Sequence, residues 1–453
     1  MKTPGLRLAT AGAAAAALFV LTACGSSSSS SSSSAAAGDT ASSGAGSAAA
    51  SPAGGGKTEL SLLVDNGDAT VKTANAEIAA FQKANPDITV KLNTRPGGGD
   101  GDNLVKTKLS TGTMEDVFWY NSGSLLQALK PEQTLVDLTG DATVANVDPS
   151  FFPVVTVNGK VFGAPFGTLM GGGILYNKDV YAKLNLTVPK TWAEFEANSE
   201  KIKAAGITPV LGTFKDTWTT QLFVLGDYHN VAAANSGFAT DYTGNKAKYA
   251  SSAPALRGFQ KTAEPSAKGW LNKGAGSTTL SQGLPQLVAG KVAQYPILSV
   301  VATNLPPDQA NKLGFFGIPG DDAGKAGATV WSPGGQYIPK SGKNIDAAKK
   351  FVAFVASAAG CDVANTVSPP TGPYLIKGYK LPDNVLQVAK DLQAYVDANA
   401  TTPALEFLSP VKGPALEQIT TAVESGQTQA KDGASQYDAD VTKQAKQLGL
   451  PGW

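Results

Sequence analysis

Histidine and cysteine are almost missing from this chain. Its 453 residues hold one histidine, His229, and two cysteines, Cys24 and Cys361. A single histidine excludes most metal sites, and no Gly-x-Ser-x-Gly elbow accompanies it, which argues against a serine hydrolase. Charge is sparse and balanced, with 37 Lys and Arg against 36 Asp and Glu and a formal net charge of +1. Nucleic-acid binding rewards a basic patch, so a near-neutral chain argues against it. The longest apolar run, Leu8 to Leu21, is shorter than the roughly 20 residues a membrane-spanning helix needs.

That run has another use. Lys2 and Arg7 precede it and small residues follow it, the pattern of a secretory signal. Leu21-Thr22-Ala23-Cys24 resembles the bacterial lipobox. The resemblance implies cleavage before Cys24, acylation of its thiol and anchoring in a membrane. From Gly25 to Gly56 the chain is Ser, Ala and Gly almost throughout, with nine consecutive serines from Ser26 to Ser34. Such a segment buries too little apolar surface to offset backbone entropy and reads as a flexible tether. Losing Lys2 and Arg7 with the signal leaves a net charge of about −1. Cys361 then stands alone, and in "AAKKFVAFVASAAGCDVA" it reads as a small buried hydrophobe.

The roughly 400 residues after the tether exceed one core and suit two domains. Strand signals at "TELSLLVDNG", "ITVKLNT" and "EDVFWY" alternate with helical signals, which predicts a parallel, doubly wound sheet. Pro86 in "NPDI" stops the first helix. The glycines of "VFGAPFGTLMGGGILYN" suit strands that bend between lobes. Thr191 and Glu194 have capping-box spacing ahead of "WAEFEANSEKIKAAGI". "TPVLGT", "LPQLVAGKVAQYPIL" and "LGFFGIPG" continue the alternation, "NIDAAKKFVAFVAS" is strongly amphipathic, and Pro382 to Leu448 reads as mostly helical.

Four stretches together resemble the bacterial family 1 extracellular solute-binding proteins: "FQKANPDITVKL", "EDVFWYNSG", "GKVFGAPFGTLMGGGILYNKDVYAKLNLTVPKTWAEF" and "GGQYIPKSGKNIDAAKKFVAFVAS". The resemblance implies a type II periplasmic-binding-protein-like α/β fold. Two lobes, each a parallel-rich sheet flanked by helices, would be joined by crossing hinge strands. The corresponding division is a signal at 1–23, a lipidated tether at 24–56, one lobe at 57–165 and 332–373, and the other at 166–331 and 374–453. It also implies a monomeric, non-enzymatic receptor on the outer face of the cell membrane. The receptor would close on a carbohydrate and dock on the permease of an ABC importer with its ATPase subunits, needing no cofactor and no metal. A lipid-anchored glycoside hydrolase and a receptor for peptides or other polar solutes are the alternatives. A glycosidase needs two carboxylates facing each other across the bond, and no such pair stands out in a motif.

Ligands of open α/β sheets bind beyond the carboxyl ends of strands. Sugars stack on aromatic rings and take hydrogen bonds from polar side chains. Tyr120 and Asn121 end the third strand and match family positions that contact sugar. Trp119 and Tyr120 alternate faces, and Tyr120 is the one chosen for the cleft. Asp116 starts that strand and suits a structural hydrogen bond as well as a ligand contact. Asp65 and Asn66 are candidates too, with a turn at Asn66-Gly67 as the alternative. Arg95 reads by default as a solvated loop charge. Trp218, in a polar loop, and Trp331, at a crossing back between lobes, are proposed stacking platforms. Phe166 and Tyr374 stand at other expected crossings, whereas Trp192 and Trp270 read as anchors. An aromatic common in the family is missing at Val300, and Tyr295 is its possible replacement. "PGGGDGDN" lacks the Lys-Ser/Thr of a phosphate loop and reads as a cleft-edge loop.

Overall fold

In the computed structural model, residues 57–383 and 385–453 are described. The signal, the tether and Cys24 lie outside them. β1 (Thr58–Asp65) buries Leu62, Leu63 and Val64 in succession, as a strand covered on both faces does, and leads into α1 (Asp68–Ala84). That helix buries Ala74, Ile78 and Phe81, spaced to share one face, and ends just before Pro86. Next come β2 (Ile88–Arg95), α2 (Gly98–Ser110) and β3 (Val117–Tyr120). Strands β2 and β3 both lie parallel to β1, with Asp65 opposite Arg95 and Leu63 opposite Phe118. The carboxyl ends of all three therefore meet along one edge.

The chain continues through β4 (Gly163–Phe166), β5 (Met170–Asn177), α3 (Trp192–Ala204), β6 (Thr208–Val210), α4 (Ala253–Ala267) and α5 (Leu280–Val288). Then follow β7 (Val292–Leu298), β8 (Leu313–Gly317), β9 (Ala328–Trp331) and β10 (Gly334–Tyr337). The last elements are α6 (Ile345–Val355), α7 (Ala358–Val367), α8 (Gln387–Asp397), β11 (Thr401–Pro403), α9 (Leu405–Leu408), α10 (Leu416–Glu424) and α11 (Ala430–Gln447). Strand β10 returns to the first sheet and completes the order β2-β1-β3-β10-β4, running antiparallel to both β3 and β4. The first lobe is packed around Leu62, Phe81, Phe118, Trp119 and Phe351.

The second sheet, β11-β9-β5-β7-β6 with β8 beside β5, is mixed rather than parallel-rich. Strand β5 is antiparallel to β7, β8 and β9, and only the β6–β7 and β9–β11 pairs are parallel. The glycines opening β5 make room for rings: a Cβ on Gly172 would strike the Trp331 indole, and on Gly171 the Phe315 ring. None of Gly171 to Gly173 has positive φ, so close packing and not backbone freedom accounts for them. Thr191 and Glu194 form the expected capping box on α3. Cys361 is buried on α7, and burial pushes its thiol up to about 12, so it is an inert core residue.

Residues 374–379, expected in the second lobe, pack on the first. Val147 bridges Ile376, Asp148 N donates to Leu375 O at 2.9 Å, and Tyr374 and Tyr379 lie against the first core. The third crossing therefore falls beyond Tyr379.

Candidate functional site

At the end of β2, Arg95 is only 6% exposed and is not a solvated loop charge. Its Nη1 donates to Pro96 O at 2.9 Å, its guanidinium lies 5.3 Å from the centre of the Tyr120 ring, and its Nε has no partner among the described residues. Tyr120 is 1% exposed and its hydroxyl also lacks a hydrogen bond among the described residues. Burial first, and then the Asp102 carboxylate of α2, hold its phenol well above the usual range, although no hydrogen bond of normal geometry joins the two. Unpaired buried donors are costly, so these two groups are suited to an acceptor-bearing ligand.

Asp65 and Asn66 sit on the same edge. Asp65 Oδ1 accepts from Gly67 N at 2.9 Å, the turn expected as the alternative, while Asn66 is exposed with its backbone N–H on Arg95 O at 2.8 Å. The Asn121 side chain is exposed, and its carbonyl takes the Tyr337 hydroxyl at 3.0 Å.

The second lobe faces this edge. Glu417 of α10 accepts from the backbone N–H of Gly99 at 3.3 Å, in the first turn of α2. Gly98 has φ of +65°, and a Cβ there would lie 3.4 Å from Glu417 Oε2 and 3.9 Å from Trp218 Cβ. "PGGGDGDN" is therefore a seam element as well as the start of α2, and Trp218 stands beside it. Trp331 Nε1 donates to Glu406 of α9, and Glu406 in turn pairs with Lys412 at 3.2 Å. Phe407 follows Glu406 and packs near Gly123, just after β3.

Four candidates lie elsewhere. Asp116 sits at the opposite end of β3 from Tyr120, about 13 Å away for four residues of strand. There its Oδ2 takes the N–H and hydroxyl of Ser61 at 2.9 and 2.8 Å, the structural role. Phe166 stacks on Trp119 at 4.5 Å and borders a small cavity with Glu77, Cys361 and Tyr374 inside the first lobe. Tyr374 donates to Asn365 Oδ1 at 2.8 Å. Tyr295 is fully buried in the second lobe with its hydroxyl 2.6 Å from Thr213 Oγ1, so it does not fill the place at Val300. Trp192 and Trp270 are buried anchors as expected. Reasoning from sequence missed Asp102, Glu406, Phe407 and Glu417. Only Asp102 lay in a segment already marked as cleft edge.

The model of the bacterial extracellular solute-binding protein family matches residues 65–360. The multiple sugar-binding protein of Streptococcus mutans is 32% identical over 166 residues, covering 36% of this chain and 37% of that protein. The match thus reaches little more than a third of that relative's length. A maltooligosaccharide ABC transporter solute-binding lipoprotein of Streptococcus pneumoniae is 25% identical over 407 residues, covering 86% of this chain and 89% of that protein. Among solved structures, a chitin oligosaccharide binding protein superposes with TM-score 0.73 at 18% identity, covering 86% of this chain and all of that one. RafE in complex with raffinose superposes with TM-score 0.70 at 23% identity, covering 85% and 99%. With more than half of its length matched by the family model and the two-lobe α/β architecture in place, the chain belongs to the bacterial extracellular solute-binding protein family.

Proposed function

We propose that this protein is the substrate-binding component of an ABC importer and captures a carbohydrate between its lobes. The observation that carries this reading is the edge formed by Asp65, Arg95 and Tyr120, roofed by Trp218 and Glu417 of the second lobe. Unpaired Arg95 Nε and Tyr120 Oη suit the oxygens of a polyol, while Trp218 offers an aromatic face for its C–H side. The relatives named for sugar binding and for maltooligosaccharide transport support the same substrate class.

Ligand bound by groups of both lobes favours the closed arrangement over an open one, and the closed form docks on the permease. Cys24 carries the lipid anchor, the Ser-rich segment tethers the lobes to the outer face of the membrane, and the protein works as a monomer. Screening mono- and oligosaccharides by thermal shift and calorimetry tests the proposal. A saturable rise in Tm with at least one sugar is expected. Response only to amino acids or peptides, or release of sugar products on incubation, would refute it.

A further inference from the structure

Behind the 3-10 turn at Thr217–Gln221 the second lobe holds a partly open cavity of about 10 Å³, room for one water-sized occupant. Thr213, Thr219, Thr220, Tyr295 and Glu424 supply its polar lining. Glu424 is 3% exposed and makes no hydrogen bond or ion pair among the described residues. We propose that this cavity binds one dehydrated monovalent cation of the size of Na+, held by the Glu424 carboxylate and the oxygens of Thr213, Thr219 and Tyr295.

The direction of the hydroxyl protons argues for a cation. Thr219 Oγ1 donates to Thr213 O at 3.2 Å, so its proton is used. Thr213 Oγ1, 3.0 Å from Thr219 Oγ1, must then be the donor in that pair. Tyr295 Oη, 2.6 Å from Thr213 Oγ1, donates in its turn. Every proton is spent along the chain, and lone pairs are left to face the cavity.

The field has the same sign. Glu424 is the last residue of α10, where the helix dipole is negative, and the Asp216 and Glu424 charges both bear on the Tyr295 hydroxyl. Burial pushes the Glu424 carboxyl well above its usual range, and a cation seated beside it would offset the cost of its ionised form. One carboxylate suits a single positive charge, and no group of three or more His, Cys, Asp or Glu side chains gathers among the described residues to hold a divalent metal.

The test is the melting temperature of the purified protein at pH 7.5 in NaCl against choline chloride at equal ionic strength. A saturable rise of roughly 3 °C with Na+ is expected, absent in Glu424→Gln and weakened in Tyr295→Phe. Thr219→Val, which removes a proposed ligand outside the acid, provides the same reading if Glu424→Gln does not fold. Equal melting in Na+ and choline, or a Na+ increment that survives in Glu424→Gln and Thr219→Val, overturns the proposal. Greater stability of Glu424→Gln in both salts without a Na+ increment assigns a protonated carboxyl instead and likewise overturns it.

Discussion

The Glu417 carboxylate accepts the backbone N–H of Gly99 at 3.3 Å, joining residues 318 positions apart and tying the second lobe to the first turn of α2. An anion at a helix N-terminus is stabilised by the dipole and by unpaired N–H groups, here supplied across the seam.

Removing that contact should favour separation of the lobes. Glu417→Ala should raise the radius of gyration of the unliganded protein in small-angle scattering, for a contact of about 1–2 kcal/mol. An unchanged scattering curve would show that the contact does not hold the seam.

Tyr120→Phe tests the proposed polyol site without disturbing the core. The hydroxyl has no partner among the described residues, so stability should hold while carbohydrate affinity falls about tenfold, or about 1.4 kcal/mol, by calorimetry. Trp331→Ala should cost both binding and folding, because its indole packs on Gly172 and donates to Glu406; a loss of about 3–5 kcal/mol of stability is expected in chemical denaturation.

Glu77 predicts a pH effect. Burial alone raises its carboxyl well above the usual value, and its Oε2 has no partner among the described residues. The folded state then holds the proton more tightly than the unfolded chain, where Glu titrates near about 4.3. This contribution is fully present below that value and is lost as pH rises through the folded pKa. The parent should lose stability relative to Glu77→Gln as pH rises above about 4.3, measured by denaturant unfolding. Parallel curves for the two proteins would remove Glu77 as the cause.

The Lys261–Asp227 pair is 2.5 Å long with both side chains 1% exposed. Lys261→Ala leaves a buried carboxylate unpaired and should cost about 3–5 kcal/mol. The double change Lys261→Met with Asp227→Leu should recover most of that loss in the same unfolding assay.

The long amphipathic elements were legible because periodicity and caps are local. The spacing of Ala74, Ile78 and Phe81 places the buried face of α1, Pro86 ends the segment, and Thr191 with Glu194 starts α3. The position of Tyr120 at a strand end was legible for the same reason. Strand partners were not: β5 carries nothing in its own pattern that distinguishes three antiparallel neighbours from parallel ones. Tyr295 and Tyr374 have polar tips like any site tyrosine, yet Thr213 and Asn365 satisfy them inside the lobes.

Apolar periodicity and turn residues specify alternating α/β elements, and the resemblance carried by the order of the matching stretches implies two lobes. Which polar groups face the seam depends on how distant segments pack. Arg95 and Tyr120 meet from neighbouring strand ends and Glu417 reaches Gly99 from 318 positions away, and whether a polar atom is paired or left free depends on what the rest of the chain brings beside it.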